Sequence, residues 1–348
     1  MKKEELMNLV KYHVENNNEA FRTEVIKIAT EFDAQGDEQL AKYLMNLISD
    51  TNFFVPQIMN DHYQYLSEVS YPQHPLYLPD LIKDDILGIK RAIENNSGLS
   101  KFLFYGAPGT GKTESAYQIA RLLKRKLLTV DFTMLIDSRL GQTAKNVSAL
   151  FDEVERLPYD HVVVLFDEID ALILDRVHAN DLREMGRVTS TFLKKLDQLN
   201  SHYMIIATTN LFTYLDKALT RRFDVHVNFD RYSQEDLIEI GDLFLKYYVK
   251  KIDGVKLNTR TFHKIMSLNK ERVYPGDLKR IIKTAVAFSD GDHPYDYLRR
   301  IYLELSGVSQ VDDLKQLSED GFTVREIELL TQIPKSSVAR KLKEVVNE

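Results

Sequence analysis

One octapeptide constrains this chain more than any other stretch: GAPGTGKT at residues 106–113. Gly106, Gly111, Lys112 and Thr113 at this spacing form a loop whose backbone wraps phosphate oxygens, an approach that a Cβ would obstruct. Such a loop needs a strand before it and a helix after it, and the flanking residues supply both. Lys101–Tyr105 reads as a strand running into Gly106. Thr113–Lys124 reads as a helix with Ala116, Ile119, Ala120 and Leu123 on one face. The loop therefore ends at a helix N-terminus, where unpaired N–H groups and the dipole favour anions. Lys112 is placed to reach the β- and γ-phosphates, and the Thr113 hydroxyl to ligate Mg²⁺.

Further signals follow in order. VVVLFDEID at 162–170 is an apolar strand running straight into acids, with its C-terminal end in the crevice where ligands sit. Asp167 is placed to hold the Mg²⁺ shell and Glu168 to orient and activate water. Asn210, after the strand candidate Tyr203–Thr208, holds the attacking water or senses the γ-phosphate; its bland alternative is a turn. Arg221 and Arg222 in ALTRRFD are either a solvated pair or cations presented to a neighbour's γ-phosphate.

Strand candidates at Phe102–Tyr105, Leu127–Phe132, His161–Phe166, Tyr203–Thr208 and Val225–Phe229 alternate with helical stretches. That alternation predicts an α/β fold with a parallel sheet covered on both faces. Residues 1 to about 70 read as helical, with Leu40, Tyr43, Leu44, Leu47 and Ile48 on one face. Pro56, Pro72, Pro75 and Pro79 mark a linker, where Tyr63, Tyr65, Tyr71 and Tyr77 are expected to pack rather than bind. The expected divisions are a helical domain at 1–75, an α/β nucleotide-binding domain at 76–231, a helical lid at 232–311 and a tail at 312–348. The chain has no cysteine, which excludes disulfides and thiolate metal sites and fits a cytoplasmic setting. Lys2 and Lys3 precede no apolar run long enough for a signal peptide. No window approaches the roughly 18 apolar residues of a membrane span. The nine histidines lack ligand spacing, so no zinc site is expected. A net charge of −6 confines any nucleic-acid contact to a local patch.

Taken together, GAPGTGKT, VVVLFDEID, TTN and ALTRRFD resemble the AAA+ ATPases, and more closely their classical AAA branch. GRVTSTFLKKLDQL at 186–199 is similar to that branch's helix before the sensor strand. The resemblance covers about 85–300. It implies a P-loop three-layer α/β ATPase with a helical lid, ATP and Mg²⁺ as cofactors, and a homo-oligomeric, hexameric ring. Under it, Gly106, Ala107, Pro108, Gly109, Thr110, Gly111, Lys112, Thr113 and Glu114 form or flank Walker A. Asp167 and Glu168 are Walker B, Asn210 is sensor 1, and Arg221 and Arg222 are fingers acting across a subunit interface. Gly276 in YPGDLKRII falls where other AAA+ branches carry a sensor 2 arginine, and is assigned to nucleotide binding. Lys279 and Arg280 receive no catalytic role. Arg139 stands where unfoldases carry an aromatic pore residue, which argues against vigorous peptide threading. Arg183 and Arg187 add charge near the second pore loop or are simply solvated.

The tail stretch 322–346 resembles helix-turn-helix motifs. Val324, Ile327 and Leu330 line one helix, Val338, Leu342 and Val345 a second, and Ser336 or Ser337 caps the second. Lys335, Arg340, Lys341 and Lys343 make that helix basic, which admits DNA; the alternative is a helical pair packed on the lid or on a neighbouring subunit. Three functions stay open at this point. They are a remodeller of a protein client recruited by the N-terminal helices, a DNA-associated ATPase, and a nucleotide-gated regulator of a separate enzyme such as a protease.

Overall fold

A computed structural model of the chain describes residues 3–14, 18–34, 37, 40–41, 44, 63–69, 76–136, 141–170, 182–269, 273–308, 311 and 313–346. The chain divides into two compact units, Met1–Tyr63 and Gln64–Glu348. The first holds helices α1 (Lys3–Val14) and α2 (Asn18–Ala34), with Val25, Ile28 and Ala29 buried. Tyr43, Leu47 and Ile48 of the expected amphipathic face lie outside the described residues, as do Pro56, Pro72, Pro75 and Tyr71.

Near the start of the second unit, where the sequence predicts helix and linker, lies strand β1 (Leu66–Glu68). After α3 (Asp80–Glu94) come β2 (Lys101–Tyr105), α4 (Lys112–Leu122), β3 (Lys126–Val130) and α5 (Phe132–Leu135). Phe132, expected to end a strand, starts that short helix instead. The chain continues through α6 (Gln142–Val154), β4 (Val162–Phe166), α7 (Leu182–Gln198), β5 (Met204–Thr209), α8 (Lys217–Thr220) and β6 (Val225–Asn228). The strands form one sheet in the order β1-β3-β4-β5-β2-β6. Every pairing is parallel except β1 against β3. Each residue of β4 and β5 is buried, as a sheet covered on both faces requires. A connector at Asp230–Tyr232 then leads out of the sheet.

The lid consists of α9 (Gln234–Val249), α10 (Thr259–Leu268), α11 (Pro275–Ala287) and α12 (Asp296–Ser306). Ser233 and Asp236 close a capping box on α9, and Pro275 opens α11 at a position that needs no N–H. The tail adds α13 (Leu314–Glu319), α14 (Val324–Thr331) and α15 (Lys335–Val346). Gln332, at φ +60°, ends α14 and turns the chain into the second helix of the pair. Ser336 and Ser337 sit within α15 rather than capping it, and Glu328 Oε1 accepts the Lys335 N–H at 2.8 Å. Ile327, Leu330 and Val338 are wholly buried in the same core as Ile282, Leu298 and Ile301 of the lid. The tail thus docks on the lid, fastened by Lys264 Nζ to Glu326 Oε2 at 2.7 Å. Among the described residues no helix is long and apolar enough to cross a membrane.

Candidate active site

Three strand ends meet because of register. Tyr105 pairs with Thr209, and Phe166 with Ala207, so β2, β4 and β5 finish side by side. Loop 106–111 leaves β2 there and enters α4 at Gly111, whose φ of +91° suits glycine. Lys112 is buried, and its Nζ donates to the Gly106 and Ala107 carbonyls at 2.9 and 2.8 Å. Burial pulls its pKa down, while the carboxylates of Asp230, Asp170, Asp167 and Glu168 push it up, and the net is a lowered value.

The Thr113 hydroxyl donates to Asp167 Oδ1 at 2.8 Å, so two hard oxygen donors stand together at the loop. No group of three or more His, Cys, Asp or Glu able to hold a metal exists among the described residues. A hydroxyl and one carboxylate suit Mg²⁺, which keeps waters and takes phosphate oxygens for its remaining ligands. The next residue, Glu168, is exposed and has φ +54°, an uncommon conformation for a non-glycine residue at a strand end. Asn210 Nδ2 lies 3.4 Å from Glu168 Oε1, so the asparagine and the acid are brought together.

Several site residues carried no sequence signal. Thr208 bridges the two acids: its hydroxyl donates to Asp167 Oδ1 at 2.7 Å and accepts the Glu168 N–H at 2.8 Å. Asp170, buried, accepts the Asn210 N–H through Oδ2, while its Oδ1 has no partner among the described residues. Asp230 accepts the Ala107 N–H at 2.7 Å, and the Tyr232 hydroxyl donates to the Thr110 carbonyl at 2.7 Å. Only TTN and DEID offered a hint, through polar residues ending apolar strands.

Gly276 reaches the site through its backbone. Its N–H donates to the Gly109 carbonyl at 2.8 Å, and a Cβ there would meet Gly109 Cα at 2.8 Å. A cleft between the loop, α4 and the lid is lined by Leu76, Tyr77, Tyr117, Phe244, Pro275 and Lys279. Tyr77, expected only to pack, lines it edge-on to Phe244 with ring centres 5.4 Å apart. Tyr65 is buried, as expected. Arg280 faces Asp277 and Glu304. Pro108 and Glu114 are exposed beside the loop.

The arginine pair lies elsewhere. Both residues precede β6, whose Val225 pairs with Phe102 near the start of β2, and Asp224 accepts the Ser100 and Lys101 N–H groups. They therefore stand at the end of the sheet opposite their own phosphate loop. Arg222 is tied to Asp197 at 2.9 Å and to the Ala218 carbonyl, whereas Arg221 is exposed and unpaired among the described residues. Arg139 lies outside the described residues, Arg183 has no described side chain, and Arg187 is exposed.

Comparison with known proteins agrees with this geometry. Residues 102–231 match the family model described as ATPase family associated with various cellular activities (AAA). An uncharacterized AAA family ATPase of Sinorhizobium fredii is 40% identical over 132 residues, 38% of this chain and 39% of that protein. A protein of Methanothermobacter thermautotrophicus described as a 26S proteasome regulatory subunit homolog is 28% identical over 186 residues, 53% of this chain and 48% of that protein. The chain thus spans less than half the length of these two relatives. The FIGL-1 AAA domain, solved with ADP, has a similar fold. Its TM-score is 0.52 at 19% identity, covering 73% of this chain and 90% of that one.

Proposed function

We propose that the chain, whose residues 102–231 match the model of the AAA family of ATPases, hydrolyses ATP with Mg²⁺ at sites shared between copies in a ring, hexameric in the arrangement usual for such ATPases, and uses the cycle to remodel a protein client. The observation that carries this reading is the meeting of Lys112, Thr113, Asp167, Glu168 and Asn210 at three adjacent strand ends. Thr113 and Asp167 would hold the magnesium ion, which supplies neutralising charge for the β- and γ-phosphate oxygens. Lys112 adds a second cation on the loop side. Glu168, steadied by Asn210, orients the attacking water and accepts its proton. Arg221, too far along the sheet to serve its own loop and unpaired among the described residues, is presented to a neighbour's γ-phosphate. Support for a protein client comes from the proteasome-related name of the archaeal relative. The exposed Met7 and Val10 of α1 offer an apolar docking face on the N-terminal helices. In a purified-protein phosphate-release assay, Lys112→Ala is expected to abolish hydrolysis. Glu168→Gln should retain ATP binding but lose about 100-fold or more in rate, the scale of a general base. Hydrolysis that survives both changes would remove the assignment.

A second reading, contact with DNA through residues 322–346, is favoured by one observation: Lys335, Arg340, Lys341 and Lys343 of α15 are exposed although the helix is docked on the lid. Replacing Arg340 and Lys343 by glutamate should then weaken salt-dependent DNA binding by the full chain. Unchanged binding would dismiss α15 as the contact.

A further inference from the structure

The donors that approach the phosphate loop from the connector and the lid fall in a pattern. In a trans peptide the C=O of one residue and the N–H of the next point to opposite sides. At the 106–107 peptide, the Ala107 N–H is turned to Asp230 and the Gly106 carbonyl to Lys112 Nζ. At 109–110, the Gly109 carbonyl is turned to the Gly276 N–H of α11, so the Thr110 N–H points away from the lid. At 110–111, the Thr110 carbonyl is turned to the Tyr232 hydroxyl, so the Gly111 N–H points away from it too. Neither the Thr110 nor the Gly111 N–H has an acceptor among the described residues. Backbone donors that find no acceptor within the chain are open to one from outside it.

The two lid-side donors are themselves linked. Tyr232 is buried and its ring lies edge-on to that of Tyr274, centres 6.3 Å apart, and Tyr274 is the N-cap residue just before α11. Arg231, next to Tyr232, is paired with Asp85 of α3, which fixes the connector on its other side. Burial raises the Tyr232 pKa far above that of a free phenol, so the hydroxyl keeps its proton and remains a donor.

We propose that Tyr232 is a positioning residue that, with the Gly276 N–H, sets the Thr110 and Gly111 amides toward the phosphates, so that movement of the lid changes phosphate affinity directly through the loop's own peptides. This rests on the nucleotide-binding reading above and adds a specific route from lid to phosphate. The connection needs no arginine from the lid, which fits a glycine at position 276. With the hydroxyl gone the Thr110 carbonyl loses its donor and the 110–111 peptide is free to rotate. With the lid helix pushed off Gly109 the 109–110 peptide is free as well.

The test uses the full-length protein and the fluorescent probes mant-ADP and mant-AMP in stopped-flow dissociation. Tyr232→Phe keeps the ring and its packing and removes only the donor. It is expected to speed mant-ADP release by about fivefold, the scale of one lost hydrogen bond. It should also raise the KM for ATP more than it lowers kcat. Mant-AMP, which lacks the β-phosphate, should be affected less. Gly276→Ala, whose Cβ cannot fit against Gly109, should act in the same direction. Equal mant-ADP release by wild type and both variants overturns the proposal, and so does an equal loss for mant-ADP and mant-AMP, which would mark a purely structural role. A wild-type protein that binds neither probe overturns the nucleotide reading itself, and is distinguishable because no variant is needed to see it.

Discussion

At one end of the sheet, where β2, β4 and β5 finish, the polar side chains hold one another. Thr208 bridges Asp167 and Glu168, Asn210 reaches Glu168, and Thr113 reaches Asp167. At the other end, where β2 begins, Asp224 fastens two strands, Arg222 is held by Asp197, and Arg221 has no partner among the described residues. Nearly every functional group at the first end has a partner within the chain, and that end is organised for binding. At the second end Arg221 is exposed and has no partner among the described residues, which suits the proposed contact with a neighbouring copy. Under the proposed arrangement, a site that draws on both ends takes two molecules.

The comparison breaks most clearly at Arg221. Arg221→Ala is expected to lower hydrolysis by about 1000-fold, the lower range for an arginine finger, with no change in melting temperature. Mixing it with Lys112→Ala subunits should restore activity, since each variant supplies the half that the other lacks. Failure to restore, with assembly intact by light scattering, would leave the site within one copy. Arg222→Ala sharpens the contrast from the other side. It should lower the unfolding free energy from urea titration by about 1 kcal/mol, a modest figure because Asp197 is half exposed, and cost activity only through that loss. The smallest effect belongs to neither end. Burial alone would raise the Glu326 carboxyl, but the bonds from Lys264 and Thr323 outweigh it and hold the pKa below its ordinary 4.5. A carboxyl lowered on folding stabilises fully above its unfolded value and loses that contribution as pH falls through the folded one. Tail docking on the lid should therefore weaken only below about pH 4.5, read by tyrosine fluorescence near Tyr302, while the sheet stays folded.

What was legible in the sequence was whatever a local pattern encodes. The loop, the strand running into DEID and the strand ending in TTN each announce themselves within ten residues, and five parallel strands follow from their apolar runs. What was not legible arrives from far along the chain. Asp230 meets Ala107 across 123 residues and Tyr232 meets Thr110 across 122, distances at which no periodicity operates. Arg221 and Arg222 look alike in the sequence, and only the position of Asp197 separates them. β1 escaped notice because three residues with one buried side chain carry too little alternation, and the prolines around them read as linker. The tail's two helices were readable, but their docking was not, since the partner of Val338 and Leu330 is a lid core assembled from four other helices.

β1 also has a consequence for how copies of this chain meet. Open strand edges invite further strands, and proteins that live side by side must blunt them. Here one flank of the sheet ends in a three-residue antiparallel strand whose Glu68 is paired with Lys126 at 3.1 Å, and whose entry is fixed by Glu153 accepting the Gln64 and Tyr65 N–H groups. The other flank, β6, is four residues long. Neither offers enough free backbone to template a continuous sheet between molecules. In the proposed ring, copies would then recognise one another by side chains, an association able to loosen and re-form with each turnover.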